Sequence, residues 1–252
     1  MIRVILHGAN GYMGRTVEQF AAEREGLTIV AGVDTAGTPS GAFPVYARTE
    51  EVQEEADVVI DFSVAAATDG LLDACAAKKL PLVLCTTGLS EAQTEKMRET
   101  AKRIPVLKSA NMSLGVNVLL KLVGEIAPKL HAAGFDIEIV EKHHRRKLDA
   151  PSGTALALAD AAKDALQKAE VSYVFDRSAE KRARTAEEIG ISAVRGGTIV
   201  GEHDVLFAGT DEVITLSHSA SSRAIFAKGA LEAAAFLAGK PAGLYSMQDV
   251  IG

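Results

Sequence analysis

The sequence predicts an α/β protein, a parallel sheet covered by helices, followed in the same chain by a second α+β region carrying a mixed sheet. Three observations lead there. In the first half, short apolar runs alternate with amphipathic stretches, the rhythm of βαβ units. Those runs are apolar on both faces, as strands buried between two helix layers must be. After about Gly134 the rhythm gives way to strand-like runs separated by short glycine-rich turns, which suits antiparallel or mixed pairing.

In order along the chain, residues 2–6, 28–33, 58–62, 82–85 and 106–108 are strands, and 13–25, 65–78 and 91–102 are helices. Residues 114–130 form a longer helix whose far end is weakened by Gly124 and Pro128. A strand over 135–141, a charged turn and an alanine-rich helix over 153–169 follow. Runs at 189–194, 198–200, 205–208 and 213–219 are the strands of the second sheet. A final amphipathic helix over 223–238 stops at Gly239 and Pro241. The highly charged segment 177–188 is expected to be a mobile, solvated loop.

With 252 residues, 48% of them hydrophobic and 24% charged, the chain has an ordinary globular balance and room for two modest domains. A net charge of −6 argues against wrapping nucleic acid, so an anionic ligand would need locally concentrated cations. Cys75 and Cys85 lie in apolar runs without a CxxC pairing, which favours core roles in a reducing compartment. No run approaches the roughly 18 apolar residues of a membrane span. The first strand leads straight into a glycine turn, without a signal-peptide pattern. The expectation is a soluble cytoplasmic protein without nucleic-acid or membrane partners.

The first motif is Gly8-Ala9-Asn10-Gly11-Tyr12-Met13-Gly14, placed between a strand and a helix. Glycine there tolerates positive φ and lets backbone amides approach a pyrophosphate, to which the helix start adds partial positive charge. An ordinary glycine turn is the bland alternative, but Asp34 ends the second strand 20 residues beyond Gly14, where an acid can bind ribose hydroxyls. Thr35 and Ala36 follow it, with no arginine for a 2′-phosphate. The cofactor is therefore expected to be NADH or NADPH with NADH favoured, although Arg15 could assist the phosphorylated form. Thr86, Thr87 and Gly88, and then Ser109, Ala110, Asn111, Met112 and Ser113, follow later parallel strands and so belong at the same strand ends. Gly8, Ala9, Asn10, Gly11, Tyr12, Met13, Asp34, Thr86, Thr87, Gly88, Ala110, Asn111, Met112 and Ser113 are the candidate cofactor-binding residues.

The second motif is Glu141-Lys142-His143-His144-Arg145-Arg146-Lys147-Leu148-Asp149-Ala150-Pro151-Ser152-Gly153-Thr154. Five titratable or cationic residues precede a helix start capped by Ser152 or Asp149, a combination suited to a carboxylate. Histidine and lysine can also exchange protons near neutral pH. The bland alternative is a basic surface turn. A nucleic-acid patch would want interleaved aromatics, and a zinc site lacks a third ligand, so no metal is expected. His7, His131, His203 and His218 are scattered and read as structural.

That stretch resembles the E-x-H-H-x-x-K-x-D-A-P-S-G-T motif of the dihydrodipicolinate reductase family. The glycine turn, Thr86-Thr87-Gly88, Ser109-Ala110-Asn111 and Arg223-x-x-Phe226-Ala227-x-Gly229-Ala230 are similar to that family's in the same order. The resemblance covers essentially the whole chain. It implies a discontinuous Rossmann-type domain from residues 1–113 and 224–252, with 114–223 as the substrate-binding and oligomerisation domain of a homotetramer. It further implies reduction of a cyclic dicarboxylate, 4-hydroxy-tetrahydrodipicolinate, by NAD(P)H in lysine and diaminopimelate biosynthesis. Carried over by position, His143 is a proton donor or acceptor and Lys147 a proton donor. His144 touches substrate, while Ser152, Gly153 and Thr154 hold a carboxylate. Arg146 stands where some relatives carry histidine. The rival readings are another two-domain amino-acid dehydrogenase and a non-catalytic NADH-binding redox sensor.

Overall fold

The computed structural model describes residues 1–36, 42–167, 170–178 and 181–252. The chain divides into two compact units, Met1–Ser113 with Ala224–Gly252, and Leu114–Arg223. The first opens with β1 (Ile2–His7), α1 (Tyr12–Ala22), β2 (Leu27–Val33), β3 (Val45–Tyr46) and β4 (Val58–Asp61). It continues with α2 (Thr68–Lys78), β5 (Leu82–Leu84), α3 (Glu91–Ala101) and β6 (Pro105–Lys108). The second unit comprises α4 (Leu114–Ala132), β7 (Asp136–His143), α5 (Gly153–Leu166), β8 (Ser172–Val174), β9 (Glu188–Arg195), β10 (Gly201–Ala208) and β11 (Val213–Ala220). The chain then returns to the first unit with α6 (Ala224–Leu237), β12 (Gly243–Tyr245) and α7 (Met247–Ile251).

The first sheet has the order β12-β6-β5-β4-β1-β2-β3 with every neighbour parallel. This is the doubly wound Rossmann arrangement, whose strand order reverses at β1. Alternation along the strands supplies two cores. Val4, Leu6, Ile60 and Leu107 pack with α1 and α6 through Val17, Ala227, Leu231 and Ala234. Ile5, Val59, Leu82 and Val106 pack on the opposite face with Leu71, Leu72, Cys75 and Met97. Cys75 is fully buried and Cys85 half-buried, both as free thiols.

The second sheet, β11-β10-β7-β9-β8, is mixed. β10 runs antiparallel to both β11 and β7, whereas β9 is parallel to both β7 and β8. One face is covered by α4 and α5, whose Leu119, Val123, Leu158 and Ala159 meet Ile137, Ile139, Val205 and Phe207. That packing carries α4 through Pro128 to Ala132, because buried Val123 and Ala127 outweigh the lost backbone bond. Among the described residues no helix is long and apolar enough to cross a membrane.

Three local expectations change. Strand β7 continues past 141 to His143, with Ile137, Ile139, Glu141 and His143 all facing inward. Residues 198–200 are not a strand. Gly197 turns there with φ 48°, and pairing with β11 begins only at Gly201. The charged segment 177–188 is tied down by ion pairs at its described residues. Arg177 and Arg182 converge on buried Glu188 at 2.6 and 2.5 Å, Arg177 also reaches Glu138, and Arg184 pairs with Asp136. The two guanidinium groups beside Glu188 pull its carboxyl down to about 2.

Helix α6 approaches the loop after β6 at Gly229, where a Cβ would lie 1.7 Å from the Met112 carbonyl oxygen. Gly229→Ala should therefore destabilise the first unit by about 1–3 kcal/mol, the usual consequence of overpacking. The measurement is the urea midpoint followed by a probe in that unit, and an unshifted midpoint would show that the helix moves away without strain.

Candidate active site

In the first unit, the loops after β1, β2, β4, β5 and β6 all leave from the carboxyl ends of parallel strands, where α/β proteins bind ligands. Gly8 has φ 81°, and a Cβ on it would sit 2.7 Å from the Phe62 carbonyl oxygen. A Cβ on Gly14 would sit 2.2 Å from the Gly8 carbonyl oxygen, so α1 can start against the turn only through glycine. Gly11 is the N-cap of α1, with no side chain bonded to the helix start. Asn10, Tyr12 and Met13 surround that start, Tyr12 being largely exposed, and Ala9 packs in the core beneath. The Asp34 carboxylate accepts from the Asn10 amide at 3.0 Å and from the Ala36 amide at 3.1 Å, which fixes it beside the glycine turn.

His7, Gly8, Gly11, Asp34, Thr35 and Phe62 line a cavity of about 250 Å³. Ser63 also lines it, and the buried Ser63 Oγ and Asn10 Nδ2 have no hydrogen-bond partner. A close-approach glycine turn, a fixed carboxylate and spare polar atoms suit the adenosine end of a dinucleotide. Thr86 is buried, Gly88 has φ 74°, and the Asn111 carbonyl oxygen of the side chain accepts from the Ser113 amide at 2.8 Å. Ala110 and Met112 complete that turn, Met112 being buried against α6.

In the second unit, alternation along β7 turns Glu141 and His143 toward the start of α5. Glu141 has no accessible surface. Its carboxylate accepts two guanidinium bonds from Arg195 at 2.6 and 2.7 Å, one from the Ser152 amide at 3.0 Å, and one from His143 Nδ1 at 2.6 Å. Burial would raise this carboxyl, but Arg195, His143 and the Ser152 amide outweigh it and hold it below the ordinary carboxylate range. An ionised carboxylate can only accept, so His143 Nδ1 carries a proton and Nε2 is left to exchange one. Gly201 on β10 leaves room beside that nitrogen, since a Cβ there would lie 3.0 Å from it.

His203 packs edge-on to His143 with ring centroids 5.2 Å apart. Its Nε2 is 3.0 Å from Ser152 Oγ, which accepts from the Ala155 amide and so caps α5. Burial and the neighbouring His143 push His203 down to about 4, so it is neutral near pH 7. Gly153 and Thr154 occupy the first turn of α5, where a helix presents backbone N–H groups and the positive end of its dipole. Lys147 Nζ pairs with Asp149 at 2.8 Å, and the Lys147 amide donates to the His144 carbonyl, folding the cationic turn back on itself. His144 is half-buried, while Arg145 and Arg146 are exposed.

The structure thus brings His143 and Ser152 together around Glu141, with Gly153 and Thr154 in the first turn of α5 and His144 and Lys147 on the adjoining turn. Arg195, His203 and Gly201 are the members that sequence reasoning missed. Each arrives by strand pairing, His143 opposite Arg195 and Glu141 opposite His203. The available signals were an arginine ahead of a double-glycine turn and an inward-facing histidine in an alternating strand. Both patterns are common.

Two family models match, the N-terminus of dihydrodipicolinate reductase over residues 2–112 and its C-terminus over 115–251. The 4-hydroxy-tetrahydrodipicolinate reductase of Caldanaerobacter subterraneus subsp. tengcongensis is 56% identical over 252 residues, covering 100% of this chain and 98% of that one. The reductase of the same name from Clostridium tetani is 49% identical, covering 100% and 97%. A dipicolinate-bound dihydrodipicolinate reductase from Paenisporosarcina sp. TG-14 has the same fold, with a TM-score of 0.83 at 24% identity over 99% of both chains. The chain belongs to the dihydrodipicolinate reductase family, the NAD(P)H-dependent reductases of lysine and diaminopimelate biosynthesis.

Proposed function

We propose that His143 and Lys147 handle the protons as (2S,4S)-4-hydroxy-tetrahydrodipicolinate is reduced to tetrahydrodipicolinate and water. The observation that carries this reading is the buried Glu141 carboxylate, which holds the proton on His143 Nδ1 and leaves Nε2 for exchange. A cyclic dicarboxylate needs two anion anchors. The first turn of α5, with Ser152, Gly153 and Thr154, is one, and the cationic turn carrying His144 and Lys147 is the other. The shared fold of a dipicolinate-bound reductase supports a cyclic dicarboxylate as the ligand. When bound, the nicotinamide supplies the hydride. Addition to the conjugated C=N shifts electron density onto an atom that must then be protonated. The Lys147 ammonium or a His143 imidazolium donates that proton and offsets the developing charge.

The cofactor side belongs to the first unit, Met1–Ser113 with Ala224–Gly252, and the substrate side to Leu114–Arg223. Gly8, Ala9, Asn10, Gly11, Tyr12 and Met13 receive the pyrophosphate, Asp34 the adenosine ribose, and Thr86–Gly88 with 110–113 the remainder. NADH is the favoured cofactor. The fixed Asp34 carboxylate would repel a 2′-phosphate, and no basic residue lies between Thr35 and Ala47. Free cysteines and a net charge of −6 support a cytoplasmic enzyme acting on a small molecule, without nucleic-acid or membrane partners.

A homotetramer built through the second unit is the proposed assembly. Among the described residues β11 pairs only with β10, and its Val213 and Ile214 are exposed, leaving an edge that a second copy would cover. Sedimentation at micromolar concentration should give four copies, and a monomer would overturn this assignment.

NADH oxidation should require the freshly made condensation product of pyruvate and aspartate semialdehyde, and its absence with that substrate would refute the reading. Lys147→Ala and His143→Ala should each lower kcat by about 10²–10⁴-fold, the usual loss on removing a proton donor, with NADH affinity nearly unchanged. Thr154→Val should mainly raise KM, because a carboxylate anchor serves ground and transition states alike. Near-normal turnover in both alanine variants would mark the basic run as a solvated turn.

Replacing Asp34 with asparagine and Thr35 with arginine should move preference toward NADPH. The ratio of the two dissociation constants checks it. A wild-type protein that strongly prefers NADPH would show that Arg15 or another basic residue overrides the carboxylate.

A further inference from the structure

The carboxyl ends of four adjacent strands in the first unit are tied together below the loops that leave them. Asp61, at the end of β4, has no accessible surface. It accepts from His7 Nδ1 at the end of β1 at 2.7 Å, from the Thr86 hydroxyl just beyond β5 at 2.6 Å, and from the Ser63 amide at 3.1 Å. Lys108, the last residue of β6, donates from Nζ to the Thr86 carbonyl at 2.6 Å. The chain of bonds therefore crosses β6, β5, β4 and β1 without a gap, in the spatial order of the sheet.

The charges suit such a link. Burial alone would raise the Asp61 carboxyl, yet the bonds from His7, Ser63 and Thr86 outweigh it and hold it below the ordinary range. Burial lowers Lys108, whose ammonium lies near Asp61 through Thr86. Parallel sheets of this kind rarely need charged groups at their centre, since aliphatic side chains would fill the same space without a desolvation cost. Every member instead adjoins a loop: His7 precedes Gly8, Asp61 precedes Phe62 and Ser63, Thr86 precedes Thr87 and Gly88, and Lys108 precedes Ser109.

We propose that His7, Asp61, Thr86 and Lys108 act as one positioning belt that sets the relative heights of the four loops receiving the dinucleotide. Cofactor affinity then depends on the belt as a unit. Asp61 and Lys108 act through the loops they hold, the Thr86 hydroxyl is already given to Asp61, and His7, which also lines the cavity, has its Nδ1 committed to Asp61. The inference rests on the assignment of those loops to the cofactor.

Its test is a double-mutant cycle read as the dissociation constant for NADH, by fluorescence titration, on full-length variants whose unfolding midpoints are also recorded. His7→Leu and Lys108→Met, changes at opposite ends of the belt, should each weaken binding on the order of tenfold, a typical coupling between linked elements. The double variant should be scarcely weaker than the worse single one, because the first break already frees the loops. His7→Asn, which keeps a donor for Asp61 where Nδ1 stood, should bind NADH within about threefold of wild type, less than a lost charge-assisted bond would cost. If His7→Leu fails to fold, Thr86→Val replaces it in the cycle, with Thr86→Ser as its conservative partner. Folded single variants that bind like wild type would overturn the belt, as would effects that multiply in the double variant. A wild-type protein that binds neither NADH nor NADPH would overturn both the belt and the cofactor assignment, whereas belt variants that bind normally leave that assignment intact.

Discussion

A carboxylate removed from water is tolerable only where donors surround it, and the second unit is organised around that requirement at Glu141. One strand, β7, delivers the acid, and its donors are His143 from the end of the same strand, Arg195 from β9 and the Ser152 amide from the start of α5. Losing any one would leave a buried charge partly unpaired, at a cost of several kcal/mol. The same demand therefore fixes the helix start, the guanidinium and the tautomer of His143 together. Reactivity at His143 Nε2 follows from how the acid is satisfied on the other side of the ring.

The first unit repeats the device on a different chassis. Asp61 is as deeply buried as Glu141, and its donors likewise come from separate strands. In both places a fully enclosed acid sits one layer beneath the groups that would meet a ligand. Apolar side chains could hold the strands together as well or better, but they would not define the angular position of an imidazole or the height of a loop. Directionality is what a hydrogen-bonded carboxylate adds to a packed interior.

How far the sequence was legible depends on the range of the interaction. The parallel sheet was readable because its strands are apolar on both faces for most of their length, and the glycine turn because backbone closeness admits little else at Gly8 and Gly14. The end of β7 was not readable. Lys142 and His143 interrupt the apolar alternation, although Lys142 meets Glu202 and Asp204 on the uncovered side of the sheet and His143 meets Glu141 within it. Residues 177–188 look like a solvated charge run until Arg177, Arg182 and Arg184 find their acids on β7 and β9. Arg195 and His203 lie about 50 to 60 residues from the motif they complete, and only strand register connects them to it. A single sequence does not display register. The Glu141 to Thr154 stretch could thus be recognised as chemically special while the groups that orient it stayed hidden.

The return of the chain from the second unit to the first governs the order in which the protein can be completed during synthesis. Residues 1–113 emerge with one face of their sheet covered only in part, by α1, because the rest of the apolar stripe over Val4, Leu6, Ile60 and Leu107 belongs to α6, more than a hundred residues later. The edge beside β6 also waits for β12. While the second unit is being translated, the first can hold only a partly dressed sheet, with its aliphatic surface open to neighbours or chaperones. The last thirty or so residues act as a closing clasp, so a ribosome that stalls or terminates shortly before Ala224 releases a sticky half-domain rather than a smaller working protein.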